Sequence, residues 1–193
     1  YSPAERVIVQ AETLHAIIAH SWETKCLTVE AGVVKYNCII RVDNADLALK
    51  PGMRVLDLCC GTGASSIFLA KHFGVQVMAL DRDVDPTENW KRIEAEGLAG
   101  AITPVRMDAR DLRLPHNYFD AVFCLNSYFY FGTDDLYLPY LARFVRAGSR
   151  IGIASPCYAS ELTPDTPRDF LYDAPDFVES YAVHSPRWWH QHF

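Results

Sequence analysis

The pattern of hydrophobic positions along the chain changes at residue 51. Before it, apolar residues recur at helical spacing after the capping-box sequence Ser2-Pro3-Ala4-Glu5, which predicts an amphipathic helix over about residues 3–20. The next thirty residues show no clear period. Residues 1–50 are therefore predicted to form an N-terminal cap, partly helical and partly irregular.

From Pro51 onward, short apolar runs alternate with helical patterns. The predicted strands are Met53–Leu58, Val75–Leu80, Ile102–Met107, Phe119–Leu125 and Arg150–Ala154. The predicted helices are Ala64–Phe73, about 85–98 and about 133–146. Such alternation predicts an α/β fold, a doubly wound and mainly parallel sheet with helices on both faces, over residues 51–156.

The remaining segment, residues 157–193, is rich in Pro, Asp, Tyr and Phe, which predicts an irregular cover over a substrate site. Near its end, Ser185 and Pro186 are typical of the N-cap and first residue of a helix. Trp189 and Phe193 stand four residues apart, so they are predicted to share the inner face of that helix.

Composition narrows the function classes. The chain has 18 Lys and Arg against 24 Asp and Glu, a net charge of −6, which disfavours a nucleic-acid partner. Its six cysteines contain no C-x-x-C spacing, and His and Cys show no metal-ligand pattern, so reduced thiols, a cytoplasmic location and no metal are predicted. No apolar stretch is long enough to span a bilayer, so no membrane partner is expected.

Acidic and glycine residues stand where the predicted strands end, and ligands of doubly wound sheets bind at that edge. The first strand runs into Gly61-Thr62-Gly63, whose glycines let the backbone approach a ligand closely. Asp81 ends the second strand, 20 residues after Gly61, as expected for a carboxylate that binds ribose hydroxyls. Asp108 follows the third strand, and Asn126 with an aromatic run follows the fourth.

Each feature alone also has an ordinary structural interpretation: a tight glycine turn, a surface cap at Asp81, a solvated acid at Asp108. Their joint occurrence at successive strand ends favours the functional one. A nicotinamide-dependent oxidoreductase shares the glycines and Asp81, but its third glycine would fall at position 66, which is Ser66. That difference counts against the oxidoreductase.

The segments 50–63, 105–109 and 117–122 together resemble the motifs of the Rossmann-like, class I S-adenosylmethionine-dependent methyltransferases. The resemblance covers about residues 50–156, and the sequence Ser185–Trp189 resembles a branch that acts on small molecules. It implies S-adenosylmethionine as cofactor, a small-molecule acceptor and methyl transfer by in-line displacement. The alternative is a non-catalytic module that binds S-adenosylmethionine and serves a partner protein.

The resemblance also implies which residues bind the cofactor. Those for the methionine moiety are Asp57, Gly61, Thr62, Gly63 and Ser65. Those for the ribose, the adenine and the sulfonium end are Asp81, Arg82, Asp108, Ala109 and Asn126. Cys59 stands where the family usually has glycine, so a side chain is expected to crowd the methionine end.

A general base is needed only if the acceptor must lose a proton, and the candidates are Tyr128, Tyr130 and His184. An aromatic run such as Tyr128–Phe131 is often core, but its place after the fourth strand favours a wall of the acceptor pocket. Members of the family usually end in a further antiparallel strand pair. The sequence stops at Phe193 with no strand-type run left after the fifth strand, so a truncated C-terminal end is predicted. The fifth strand would then be a sheet edge, through which a homodimer is predicted to be possible.

Overall fold

The computed structural model describes residues 48–155, Glu161, Thr163 and residues 184–193. The predicted N-terminal helix and most of the predicted cover lie outside these residues. The division of the chain into a cap, a core and a covering segment therefore stays a prediction.

The described elements form a single parallel sheet with helices between its strands. In chain order they are β1 (Arg54–Leu58), α1 (Ala64–Phe73), β2 (Gln76–Asp81), α2 (Pro86–Ala95), β3 (Ile102–Arg106), β4 (Phe119–Leu125), a 3₁₀ turn (Tyr128–Tyr130), α3 (Tyr137–Ala142), β5 (Val145–Ala154) and α4 (Pro186–His192). The strand order is β3-β2-β1-β4-β5, and every pair is parallel. The predicted doubly wound α/β fold is confirmed.

The core lies on both faces of the sheet, with β1 at its centre. Leu56 and Leu58 are fully buried on one face with Leu141 and Phe144. On the opposite face, residues of β1 and β4 pack against those of the first two helices: Val55, Leu69, Ile93 and Phe123. A strand buried on both faces needs apolar residues at successive positions, which is why the successive residues Val55 and Leu56 of β1 are both apolar.

Three helix ends form as the sequence predicts. Gly74 ends α1 in the left-handed region, with φ of 64°. The Asp85 carboxylate accepts a hydrogen bond from the Thr87 amide at 2.8 Å and caps α2. The Ser185 hydroxyl likewise accepts from the Trp188 amide at 3.2 Å at the start of α4.

The helix predicted over about residues 133–146 is shorter in the structure, where only Tyr137–Ala142 is helical. Residues beyond it join the sheet instead, because the carbonyls of Arg143 and Phe144 accept backbone hydrogen bonds from Asn117 and Tyr118. Strand β5 thus begins at Val145 and passes a register shift before its regular pairing. That regular part is the predicted strand, Arg150–Ala154.

Strand β5 pairs only with β4 among the described residues, so it is one edge of the sheet there. An edge strand leaves backbone groups available to another chain. Whether a second copy uses this edge stays a prediction. Within the described segments, no helix combines the length and the apolar character needed to cross a bilayer.

The aromatic run after β4 contributes to the core through Tyr128. Its side chain is 0% exposed and packs edge-on against Phe131 and Tyr137. Trp189 and Phe193 of the C-terminal helix lie on the same ring, each with a centroid distance of 5.9 Å. Gly132 makes room for it, because a Cβ there would lie 2.0 Å from Cε1 of Tyr128.

We therefore expect Gly132→Ala to lower the free energy of unfolding by ~1–3 kcal/mol, the usual cost of overpacking a core. Urea unfolding of both proteins measures the difference. Gly100→Ala is the matched control, since a Cβ there meets nothing within 4 Å and should leave stability nearly unchanged. Equal stability of the two variants would contradict the packing described for Tyr128.

Candidate functional site

An open cleft of about 390 Å³ lies at the carboxyl edge of the sheet. This volume falls within the range of small-molecule sites. In strand order the chain reverses between β1 and β4, which is the position where such sheets bind ligands. The residues that line the cleft follow the strands: Cys59, Asp81, Arg82, Asp83, Asp108, Ala109, Arg110, Ser127, Tyr130 and Phe131.

The glycine loop after β1 is fastened to the end of β2. The Gly61 amide donates to Oδ2 of Asp81 at 2.9 Å. The other carboxylate oxygen accepts from the amides of Asp83 and Val84, at 2.8 and 3.0 Å. These three backbone donors fix the orientation of the Asp81 carboxylate in the cleft, as a site for ribose hydroxyls requires.

Beneath the same loop, Asp57 is fully buried. Its Oδ2 accepts hydrogen bonds from the hydroxyls of Ser65 and Ser66, both at 2.6 Å. Its Oδ1 is buried without a hydrogen-bond partner among the described residues. Burial raises the pKa of Asp57 to about 6, against the opposing effect of the two hydroxyls.

The loop after β3 is held in a similar way. Asp108 accepts the Arg110 amide at 2.9 Å through Oδ1, and its Oδ2 lies 3.6 Å from Nη1 of Arg82. Ala109 is buried, and its carbonyl accepts the hydroxyl of Tyr137 at 3.0 Å. The position predicted for the adenine edge is therefore a fixed polar turn at the rim of the cleft.

The structure brings together part of the predicted site. Asp81, Arg82, Asp108, Ala109 and Tyr130 all line the cleft. The remaining predicted cofactor residues do not line it: Asp57 and Ser65 are buried, Thr62 and Asn126 are exposed, and Gly61 and Gly63 form the loop with positive φ. Their roles in cofactor binding stay predictions.

Tyr128 requires a correction. We expected it to line the acceptor pocket, but the structure buries its ring in the core and leaves its hydroxyl without a hydrogen-bond partner among the described residues. Burial also raises the pKa of this hydroxyl, so it stays protonated at neutral pH and is not available to accept a proton as a phenolate. The physical reason is the 3₁₀ turn, which directs Tyr128 inward and leaves Tyr130 44% exposed beside the cleft.

His184 is placed beside Glu161, with Nδ1 2.5 Å from Oε1 of that carboxylate. Its ring stacks on Trp188 at a centroid distance of 3.7 Å. It does not line the cleft in the described part of the chain. A catalytic role for His184 therefore stays a prediction.

Sequence reasoning missed several residues of the site. Asp83, Arg110 and Ser127 line the cleft two to four residues beyond the strand ends, where extending the search along each loop would have found them. Ser66 was noted only as the residue that replaces a glycine, yet its hydroxyl binds Asp57. The sequence carries no signal for that contact.

Cys59 lies in the cleft with φ of 59°, a left-handed conformation that suits glycine better than any other residue. Burial, together with the nearby carboxylates of Asp81 and Asp57, raises the pKa of its thiol to about 12. The thiol is therefore neutral at physiological pH and occupies space rather than acting as a nucleophile.

Taken together, the orphaned oxygen of Asp57 and the fixed carboxylate of Asp81 fit S-adenosylmethionine. A buried carboxylate oxygen without a partner under a glycine loop suits a cationic donor, such as the ammonium group of a methionine moiety. The Asp81 carboxylate suits vicinal hydroxyls.

Residues 55–148 match the family described as "Methyltransferase domain". This part of the chain belongs to that family, and it is a class I S-adenosylmethionine-dependent methyltransferase domain.

Curated relatives are methyltransferases of several kinds. The chain is 29% identical over 114 residues to "O-methyltransferase resE" of Aspergillus sclerotiorum, covering 58% of this chain and 43% of that protein. It is 26% identical over 132 residues to "Phosphoethanolamine N-methyltransferase 3" of Arabidopsis thaliana, covering 68% of this chain and 25% of that protein. The chain thus spans less than half the length of these relatives.

Solved structures share the fold. A methyltransferase from Thiobacillus denitrificans in complex with S-adenosylhomocysteine is 26% identical, with a TM-score of 0.50, covering 57% of this chain and 44% of that one. The [4+2]-cyclase SpnF is 24% identical, with a TM-score of 0.53, covering 57% and 41%. The second likeness concerns the fold alone, and it illustrates that the fold hosts more than one activity.

The buried carboxylate generates a prediction about pH. The folded-state pKa of Asp57 lies above the ordinary value of 3.8, so ionisation of this group penalises the folded chain. Its contribution to stability is fully favourable below about pH 4 and is lost as the pH rises through about 6. A shift of two pKa units corresponds to roughly 3 kcal/mol at neutral pH.

We therefore expect Asp57→Asn to raise the free energy of unfolding of the cofactor-free protein at pH 7.5, and the advantage to shrink towards pH 4. The same variant should bind S-adenosylhomocysteine more weakly, because the neutral amide lacks the charge that attracts an ammonium group. Chemical unfolding at several pH values and titration calorimetry measure the two effects. Asp111→Asn, at an exposed carboxylate, is the control. If the difference in unfolding free energy between Asp57→Asn and the wild-type protein did not change with pH, the raised pKa assigned to Asp57 would be refuted.

Proposed function

We propose that the chain transfers the methyl group of S-adenosylmethionine to a small-molecule acceptor. The observation that carries this proposal is the cleft lined by Asp81 and Asp108, in which Asp81 also binds the Gly61 amide, at the chain reversal of a methyltransferase domain. The O- and N-methyltransferase names of the relatives support an acceptor of low molecular weight. They leave the acceptor atom open.

The residues of the cleft would bind and orient rather than react. When bound, S-adenosylmethionine supplies an electrophilic methyl group on a sulfonium centre. Asp81 would accept the ribose hydroxyls, the loop after β3 would border the adenine, and the glycine loop would receive the methionine moiety. Orienting the acceptor in line with the methyl group then lowers the barrier, because a well-placed pair of reactants has already lost its translational freedom.

The second candidate is a non-catalytic module that binds S-adenosylmethionine. No histidine lines the cleft within the described residues, and the Cys59 thiol there has a raised pKa. Tyr130 is the one cleft side chain of our three predicted bases. An acceptor whose nucleophilic atom already has a free lone pair needs no general base. An acceptor that must be deprotonated would depend on Tyr130 or on residues outside the described part.

We further propose a cytoplasmic location, consistent with the reduced thiols of Cys59, Cys60 and Cys124. We also propose a homodimer that forms through the edge of β5. This proposal rests on the position of β5 at the edge of the sheet.

Cofactor choice tests the proposal directly. S-adenosylmethionine and S-adenosylhomocysteine should each raise the melting temperature, whereas NAD should not. A ligand that binds only the folded state adds ~2.7 kcal/mol of stability at ~100 times its Kd. Stabilisation by NAD alone would overturn the proposal and favour the oxidoreductase.

Asp81→Ala should weaken the binding of S-adenosylhomocysteine at least tenfold, roughly 1.4 kcal/mol, because ribose hydroxyls and the Gly61 amide both lose a charged acceptor. Titration calorimetry measures the change. The control is Asp111→Ala, which removes a carboxylate outside the cleft and should bind normally. Unchanged affinity for the Asp81 variant would show that the ribose lies elsewhere.

Tyr130 tests the acceptor side. We expect Tyr130→Ala to raise the KM for the acceptor several-fold and to leave the Kd of S-adenosylhomocysteine unchanged, since an aromatic wall holds an organic acceptor by apolar contact. The acceptor is the first compound that turns over in a screen of small phenols, amines and carboxylic acids. Leu136→Ala, at an exposed residue outside the cleft, is the control; an equal effect of both variants would reject Tyr130 as a wall.

A further inference from the structure

A buried asparagine on α2 contacts the glycine loop from behind. Asn89 is 2% exposed and lies in the second turn of the helix, four residues after its N-cap. Its Nδ2 donates to the carbonyl of Gly61 at 2.9 Å and lies 3.8 Å from Sγ of Cys60. Asparagine is a weak helix former, so its presence inside a helix and away from water calls for a specific partner. The Gly61 carbonyl is that partner.

The orientation of this amide is fixed at its other end. Oδ1 of Asn89 accepts a hydrogen bond from Nη1 of Arg92 at 3.1 Å. The cationic donor on the oxygen side and the carbonyl acceptor on the nitrogen side agree on one assignment of the amide atoms. Nδ2 therefore faces the loop as a donor.

Packing alone does not hold Gly61 in place. A Cβ at this residue would meet nothing within 4 Å, and its φ is 54°. Instead its amide donates to Asp81 of β2, and its carbonyl accepts from Nδ2 of Asn89 in α2 and from the neighbouring Cys60 thiol at 3.6 Å. Asn89 also lies 3.7 Å from the position that a Cβ at Gly63 would occupy, so it lies beside the second glycine of the loop.

We infer that Asn89 is a positioning residue of the cofactor site: its amide holds the Gly61 peptide in the orientation that keeps the Asp81 carboxylate directed into the cleft. This inference rests on the proposed cofactor site. It adds a residue outside the cleft and outside the strand-end motifs. Its effect on the ligand is indirect, through Gly61 and Asp81, since Asn89 does not line the cleft.

A purely structural role is the competing explanation, because a buried asparagine also joins α2 to the sheet. A variant at Ile93 distinguishes the structural explanation from the positioning role. Ile93 lies one turn further along the same helix and is fully buried in the core, and its apolar side chain cannot form a hydrogen bond to the glycine loop. Ile93→Ala weakens the packing of α2 and leaves the Asn89–Gly61 hydrogen bond in place.

The test compares Asn89→Leu, which has similar size and no hydrogen-bonding groups, with Ile93→Ala. We expect the Kd of S-adenosylhomocysteine to rise at least tenfold in Asn89→Leu. In Ile93→Ala the Kd of S-adenosylhomocysteine should change less than threefold, even if the melting temperature falls as much as it does in Asn89→Leu. An affinity loss that follows the melting temperature equally in both variants would overturn the inference.

A second readout needs no ligand. In the cofactor-free protein, hydrogen exchange of the Gly61 and Gly63 amides should accelerate in Asn89→Leu and stay at the wild-type rate in Ile93→Ala. If the wild-type protein itself fails to bind S-adenosylhomocysteine, the proposed function is wrong, while the exchange rates still decide whether Asn89 holds the loop. Unchanged exchange in Asn89→Leu refutes the inference in either case.

Arg92→Met covers the possibility that Asn89→Leu does not fold. It removes the donor to Oδ1 and keeps Asn89 itself. We expect a smaller rise in Kd, two- to five-fold, with faster exchange at Gly61. Wild-type affinity and exchange in this variant would contradict the role assigned to the oriented amide.

Discussion

The site depends on one carboxylate that the fold keeps away from water. Asp57 is the penultimate residue of the central strand β1, and its Oδ2 accepts hydrogen bonds from two serine hydroxyls in the first turn of α1. These hydrogen bonds join the end of β1 to the start of the next helix, and the glycine loop spans the gap between them. The raised pKa shows that the fold bears an energetic cost to place a charge there.

The fixed orientation of the Asp81 carboxylate follows from this arrangement. With the loop anchored at Asp57, the Gly61 amide reaches the Asp81 carboxylate, and two further amides of the next turn complete its orientation. The carboxylate is therefore oriented before any ligand arrives. Preorganised polar groups of this kind increase affinity because the ligand does not have to order them.

The sequence predicted the sheet well, because most of the buried parallel strands are short apolar runs, and the first three are followed by a glycine turn or an acid. It predicted Asp81 and Asp108 in the cleft for the same reason. It failed where a side chain's direction is set by tertiary contacts. Tyr128 and Tyr130 are equivalent in the sequence pattern, and only the 3₁₀ turn and the space beside Gly132 send one inward and the other to the cleft.

The sequence did not predict the contact of Asn89 with the glycine loop, for a different reason. Its contact crosses from α2 to a loop 28 residues earlier, and no local period marks such a pair. The helix predicted to reach residue 146 failed similarly, since Arg143 and Phe144 find backbone partners beside β4 that outcompete a further helical turn. Local propensity is a weak guide when a neighbouring strand offers hydrogen bonds.

Two of the strained backbone positions lie at the same edge of the sheet as the buried Asp57 carboxylate. Of the four non-glycine residues with positive φ in the described part, Cys59 follows β1 and Asn126 follows β4, the two strands that flank the chain reversal. Left-handed backbone costs a residue with a Cβ about 1–2 kcal/mol. Two such residues and an unpaired carboxylate oxygen persist together because the surrounding sheet is well packed on both faces. Strain of this kind persists where the surrounding structure holds it in place, and it is common at ligand sites.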